Sequence, residues 1–253
     1  PRDKACAGWL TPPVVAAVSL ALEEYARGRT LQPITGFRVG VIGRAPREVR
    51  YDEPVSYGIR RREFDHWLLE RSGARLKLGG DLRSWERRDD RWVVNGEIET
   101  PLIIGAGGHF CPVARRLGAR AVPSAEVVTA QEVEYRPPAG ELARCGVDPY
   151  TPELYFCEDL AGYGWCFRKG EYLNIGLGRI DATRLTDHVH AFVDSLRRSG
   201  SLSGGLPERF HGHAYQIIGR TEPRLIDDGV LLIDQAYADF ADSGKKKKKK
   251  EIE

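Results

Sequence analysis

The chain has 253 residues, 42% of them hydrophobic, enough for one large domain or two small ones that bury a core. Its formal charge of +2 includes the run Lys245–Lys250; without those six lysines, 32 basic residues face 36 acidic ones, a net of −4. That balance argues against nucleic acid as a partner, and the longest apolar helical stretch, Val14–Leu22, is too short to cross a bilayer.

In chain order, Pro12–Arg27 reads as one helix, with two prolines at its start and apolar residues at helical spacing. Gly36–Gly43 has strand character. Arg61–Ser72 puts Phe64, Trp67 and Leu68 on one helical face, and Gly73 ends it. Strand-like pieces follow: LRSWERR, then RWVVNG, then EIETPLIIGA, with Asn95-Gly96 as the strongest hairpin signal in the chain. Cys111–Leu117 reads as a short helix with Pro112 in its first turn. From Ser124 to about Gly178 the character is β, in AEVVTAQEVEYR, ELYFCE, YGWCFRKG and YLNIGLGRI, with Lys169-Gly170 turning one hairpin. Thr186–Ser199 is helical, and GHAYQIIGR and DGVLLID give two more strands, with Asp228-Gly229 as a turn. Helices interleave with strands early and strands dominate later, which predicts an α/β layer joined to a largely antiparallel sheet.

Five cysteines (Cys6, Cys111, Cys145, Cys157, Cys166) are odd in number and widely spaced, against a disulfide framework or a zinc site and for a reducing, cytosolic setting. The pairs His188/His190 and His211/His213 lack a third ligand, so no metal is expected. Cys111 is read as a buried thiol. Asp65 and His66 face different ways on a helix and make a poor acid–base pair. No catalytic residue is assigned, and no G-x-S-x-G elbow is present. The chain contains no methionine and ends on SGKKKKKKEIE, which leads to the expectation of a fragment or altered chain. Residues 245–253 read as a solvated tail, with peripheral attraction to anionic lipid as the lesser reading.

The stretch PLIIGAGGHFCPVARRLG (Pro101–Gly118) resembles a nucleotide-binding turn, in which glycines allow close approach of a pyrophosphate at a helix N-terminus. Gly105 and Gly107 fit G-x-G-x-x-G, but Phe110 stands at the third position, and the stretch before Glu126 is broken by proline and glycine. A strand-to-helix turn needing small residues is the preferred reading.

Four stretches occur in order: DKACAGWLTP (Asp3–Pro12), RREFDHWLLERSGA (Arg61–Ala74), IIGAGGHFCPVARRLG and YGWCFRKGEYLNIGLGR (Tyr163–Arg179). Together they resemble the geranylgeranyl-reductase-like family of FAD-dependent oxidoreductases, of the para-hydroxybenzoate hydroxylase fold group. The most specific match is the family's Tyr-x-Trp-x-Phe-Pro followed by Gly-x-Gly, here Tyr163, Trp165, Phe167, Gly176 and Gly178, with Arg168 in place of the proline. The resemblance implies FAD as cofactor, with NAD(P)H or another reductant as electron donor. It places Cys6, Ala7 and Gly8 beside the flavin, Arg61 at the family's R-x-x-F-D arginine, and Gly105 and Gly107 on a turn bordering the cofactor. Asp234 aligns with the aspartate of a second flavin motif, although Gln235 and Tyr237 replace its small residues. Tyr163, Trp165 and Phe167 share a strand face and, by resemblance, form a floor for a prenyl or other apolar substrate.

The expected fold is therefore α/β (α+β): an incomplete FAD-binding layer of Rossmann type over residues 1–123 with 211–244, and a mostly antiparallel substrate-binding sheet over 124–210. The expected activity is reduction of isoprenoid C=C bonds. Two alternatives stay open: a flavin-dependent aromatic hydroxylase, and a non-catalytic apolar-ligand or partner-binding module that has lost FAD. The expected location is the cytoplasm, with peripheral membrane contact as the variant; the oligomeric state is left open.

Overall fold

The computed structural model describes residues 4–108, 111–117, 127–181, 183–216 and 226–233. The chain runs through strand β1 (Trp9–Leu10), helices α1 (Pro12–Ala17) and α2 (Leu22–Ala26), strands β2 (Leu31–Ile34), β3 (Gly36–Val41), β4 (Arg47–Arg50) and β5 (Ser56–Ile59), and helix α3 (Arg61–Arg71). Strands β6 (Trp85–Arg88), β7 (Arg91–Val94), β8 (Ile98–Thr100) and β9 (Ile103–Gly105) follow, then helix α4 (Pro112–Arg116). Next come strands β10 (Val127–Tyr135), β11 (Glu153–Phe156), β12 (Gly162–Lys169) and β13 (Tyr172–Arg179), and helix α5 (Leu185–Arg198). Strands β14 (His211–Gln216), β15 (Ile226–Asp227) and β16 (Val230–Leu232) complete the order.

Two compact units result: Pro1–Leu76 with Val128–Ala214, and Lys77–Val127 with Tyr215–Glu253. This division departs from the one read in the sequence, which grouped residues 1–123 together. The reason is pairing: β3 joins β11 in parallel and carries β4 with it, so early strands extend the large sheet.

In the first unit the large sheet has the order β14-β10-β13-β12-β11-β3-β4, and a second sheet has the order β1-β5-β2. The large sheet has two chemically distinct faces because side chains alternate along a strand. On its back face, Leu173, Ile175 and Leu177 are fully buried with Val189, Phe192, Val193 and Leu196 of α5. The helix presents these residues at 189, 192, 193 and 196, the spacing of a single apolar stripe. Burying each such side chain contributes about 1.5–3 kcal/mol. Gly164 supplies the seat for Phe192: a Cβ there would lie 2.7 Å from the ring. A separate core forms where Tyr25 meets Phe64 and Trp67 of α3, ring centroids 5.8 and 5.4 Å apart.

The expected Pro12–Arg27 helix is instead two short ones. Ser19 adopts φ 49°, and the break lets Leu20 turn into the core around Tyr25. EIETPLIIGA also divides, into β8 and β9 of different sheets, because Pro101 has no N–H to continue a ladder. By contrast, Asn95 and Gly96 both take positive φ (54° and 71°) at the centre of a turn that Glu97 N–H closes onto Val94 O at 3.0 Å, in the three-residue loop between β7 and β8.

In the second unit, β16 pairs in parallel with β9 and antiparallel with β15, while β6, β7 and β8 form a meander. Its core gathers Trp85, Cys111, Val113, Val230 and Leu232. All five cysteines of the chain are free thiols. Among the described residues, no helix is long and apolar enough to cross a membrane, and no group of His, Cys, Asp or Glu has metal-holding geometry.

Candidate functional site

The front face of the large sheet, opposite α5, collects most of the residues singled out by the sequence motifs. Pairing places Trp165 opposite Gly176 and Tyr163 opposite Gly178, and these glycines face Glu132 and Ala130 on the next strand. The segment Cys6–Trp9 lies over this face. Trp9 meets Phe167 edge-on at 5.8 Å and stacks on Phe37 at 5.2 Å, and Ala7 joins Trp165 and Phe167 in one apolar cluster. The aromatic rings and the Cys6–Gly8 stretch are thus on the same side of the sheet.

The chain itself covers the inner rings. Phe167 is 1% exposed and Trp165 7%, so Phe167 has no free surface to offer a ligand, whereas Tyr163 is 42% exposed. From Tyr163 an exposed apolar strip continues to Phe156, directly opposite it, and to Val39, which pairs with Leu154.

The glycines are small for internal reasons. A Cβ on Gly8, whose φ is +69°, would sit 2.1 Å from the Ile59 carbonyl oxygen and 2.9 Å from Lys169 Nζ. One on Gly176 would meet the Trp165 ring at 2.3 Å and Glu132 Cβ at 2.8 Å. In the second unit, a Cβ on Gly105 would strike Leu232 at 2.7 Å and Val113 at 2.9 Å, and one on Gly107 would press Cys111 at 3.0 Å. Gly105 and Gly107 are therefore small because β9 and the chain after it pack closely on Val113, Leu232 and Cys111. Asp234, Gln235, Tyr237, Phe110, Glu126 and the lysine run lie outside the described residues.

A polar cluster below Cys6–Gly8 was not singled out in the sequence. Lys169, fully buried, donates to Ala7 O at 2.9 Å and Ile59 O at 3.0 Å, and pairs with Glu134. Arg60 donates to Glu134 at 2.9 Å and lies 3.8 Å over the Tyr172 ring. The Trp165 indole N–H donates to Asn174 Oδ1 at 2.7 Å. Glu132 accepts from the Cys6 backbone N–H through Oε1, and its buried Oε2 has no hydrogen-bond partner. Burial pushes the Glu132 carboxyl up to about 7, opposed by the Cys6 N–H, Lys169 and the Asn174 side chain and helped by Glu134. Arg61 reaches Cys6 Sγ at 3.4 Å and holds Asp65 at 2.9 Å.

The signal for this cluster was in phase with the motif. Lys169 is two residues beyond Phe167, and Glu132 and Glu134 flank apolar Val133 on β10, so the lysine and both glutamates had to share the front face.

Lys4, Ala5, Cys6, Arg60, Arg61, Arg62, Glu132, Glu134 and His211 line a cleft of about 90 Å³. Its cationic rim and the backbone of Cys6–Gly8 suit the polar edge of a flavin. The volume of this cleft is below the ~300–1,000 Å³ of pockets that enclose a whole cofactor-sized ligand, so these residues would hold a rim of the ring system and not surround it.

No protein-family model matches the chain. In sequence it is 27% identical over 201 residues to digeranylgeranylglycerophospholipid reductase of Methanocaldococcus jannaschii, covering 74% of this chain and 50% of that protein. Against the reductase of the same name from Methanococcus aeolicus it is 24% identical over 200 residues, with the same shares. The chain thus spans about half the length of the curated relatives it matches. In structure it is similar to a variant of Klebsiella pneumoniae HpxO complexed with FAD, with a TM-score of 0.64 and 12% identity over 93% of this chain and 66% of that one. It is also similar to CmlS, a flavin-dependent halogenase, with a TM-score of 0.64 and 19% identity over 93% of this chain and 47% of that one.

The mixed α/β fold resembles that of the FAD-bound HpxO variant and the flavin-dependent halogenase CmlS. In sequence the likeness is to digeranylgeranylglycerophospholipid reductases, at 24–27% identity.

Proposed function

We propose that the chain works in an FAD-dependent oxidoreductase that reduces carbon–carbon double bonds of a prenyl or similarly apolar substrate. One observation carries this reading: the front face of the large sheet passes without interruption from a buried polar cluster at Glu132 and Asn174, across Trp165, to the exposed apolar strip of Tyr163, Phe156 and Val39. Chemistry that adds hydrogen to an alkene needs both ends of that gradient. An apolar surface draws in the chain of the substrate by excluding water, and polar groups at one end handle charge. A bound flavin supplies the hydride, with NAD(P)H or another reductant as its source.

This chain's residues do the positioning. Lys169 fixes the Ala7 carbonyl and so holds Cys6–Gly8 at one height above the sheet. Asn174 locks the Trp165 indole. Arg61 sets a cation beside Cys6, suited to the anionic edge of a reduced ring system. An apolar lipid substrate brings the chain to a membrane surface, so peripheral contact belongs to the same reading.

The test is spectroscopic. The protein is incubated with FAD, desalted, reduced anaerobically with dithionite, and mixed with a geranylgeranyl-bearing lipid. Reoxidation of the flavin in step with saturation of double bonds, read by mass spectrometry, supports the proposal. Bound flavin that stays reduced with the lipid, yet hydroxylates a phenol when dioxygen is admitted, overturns it in favour of the hydroxylase. A protein that takes up lipid but no flavin overturns it in favour of a binding module.

A further inference from the structure

We infer that Glu132 is the proton donor of this site. The inference deepens the proposed reductase reading and rests on it.

Saturating a double bond adds a hydride to one carbon and a proton to the other. With the hydride accounted for by the reduced flavin, the second carbon needs an acid. The acid's O–H bond breaks as the new C–H bond forms, leaving a carboxylate that a proton from solvent must restore. Glu132 meets the structural demands of that role. It borders the cleft beside Cys6 and is 6% exposed, so water does not compete for its proton. Its two oxygens are differentiated: Oε1 is committed to the Cys6 N–H, and Oε2 is buried with no hydrogen-bond partner. An orphan carboxylate oxygen at that depth is costly, whereas a protonated one is a donor awaiting an acceptor. Across the sheet, Glu132 Cβ and the Trp165 ring flank the gap left by Gly176, so the carboxyl's strand adjoins the aromatic floor.

The charged and titratable surroundings fit a donor that must recover. Burial, and after it Glu134 on the same strand, favours the protonated carboxyl. Lys169, from β12, limits the cost of the carboxylate left after transfer. Cys6 and Lys4 approach from the chain above, Arg60, Arg61 and Arg62 from the start of α3, and His211 from β14. These rim groups connect the cleft to solvent for reprotonation. Asn174 and Tyr172 from β13 complete the neighbourhood.

The experiment has two readouts. Without flavin, the full chain labelled with ¹³C at its glutamate carboxyls is titrated by NMR beside E132Q. The inference expects one resonance with a midpoint near 7, missing from E132Q. A Glu132 resonance that titrates in the ordinary carboxylate range overturns it. With FAD bound and reduced, reoxidation by the geranylgeranyl-bearing lipid is followed across neutral pH. Counted per bound, reduced flavin, E132Q is expected to reoxidise with the lipid about 100-fold or more slowly, the usual worth of a general acid. If E132Q does not fold, E132D replaces it; its shorter side chain withdraws the carboxyl and must cost about 10-fold or more in the same step. A variant that matches wild type overturns this inference and leaves the reductase reading intact. A wild-type protein that holds reduced flavin without passing hydrogen to the lipid overturns both.

Discussion

Lys169 Nζ donates to the carbonyl oxygen of Ala7 at 2.9 Å from a side chain with no solvent exposure. A buried ammonium is tolerated only when its donors are satisfied and its charge is matched. Here two carbonyls and Glu134 do both. Lys169→Met keeps the apolar stem but leaves Glu134 with Arg60 as its remaining cation and removes the donor from two carbonyls. The expected cost is about 3 kcal/mol, measured by urea denaturation. Adding Glu134→Gln should recover part of that loss, since the double variant leaves no charge unmatched; a strictly additive pair would refute the coupling.

The two glycines of the Gly-x-Gly pair should behave oppositely when changed to alanine. At Gly176 the new methyl falls 2.3 Å from the Trp165 ring, an overpacking expected to cost about 1–3 kcal/mol or more. At Gly178 the nearest atoms are 3.4 Å away, ordinary contact, so the change should lie within about 0.5 kcal/mol of wild type. Thermal melts of both variants decide this.

Gly8→Ala faces a backbone penalty as well as a collision. A side chain at φ +69° costs about 1–2 kcal/mol, and its Cβ would sit 2.1 Å from the Ile59 carbonyl oxygen, forcing the segment off Lys169. Besides lower stability, the variant should show faster amide exchange at Ile59, whose N–H donates to the Gly8 carbonyl at 2.8 Å.

Glu132 makes stability depend on pH in a definite direction. Its carboxyl is raised in the folded chain to about 7 from 4.5, so the folded state binds more protons than the unfolded state between those values. Stability from this group is fully present below pH 4.5 and is lost as pH rises through about 7. The total is on the order of 3 kcal/mol. Glu132→Gln should flatten that slope and make the protein more stable than wild type on the alkaline side; denaturant midpoints measured on both sides of the window check it.

Trp165→Phe removes the donor to Asn174 Oδ1 and leaves that oxygen buried without it. The expected cost is about 1–3 kcal/mol beyond lost packing, read from the shift in urea midpoint.

Hairpins and the sheet's strands were legible because their signals are local. Asn95-Gly96 and Asp228-Gly229 turned where the residues require it, the hairpin expected at Lys169-Gly170 turns one residue later, at Gly170-Glu171, with Lys169 still paired in β12, and α5 began one residue before its expected start. What the sequence hid was long-range. Arg47–Arg50 is exposed and charged, and becomes a strand only because Gly36–Val41 offers it an edge. Trp9–Leu10 is too short for periodicity to register and is a strand only through pairing with Tyr57 and Gly58. In the candidate site the aromatic stripe was assigned through the family motif, its spacing giving only a shared strand face, but Lys169, next in the same phase, was read as part of a turn. A lysine is ordinarily exposed, and nothing local announces that Ala7, Ile59 and Glu134 will converge on it from 35 to 162 residues away.

Strand β13 carries two programmes in one stretch of chain. Leu173, Ile175 and Leu177 build the core under α5, while Asn174, Gly176 and Gly178 furnish the opposite face. A single inserted or deleted residue at the Gly170-Glu171 turn would exchange the two sets, thrusting an amide into oil and aliphatics into the cleft. This hairpin can therefore change length over evolution only in steps of two, and foldability and ligand chemistry are inherited there as one trait.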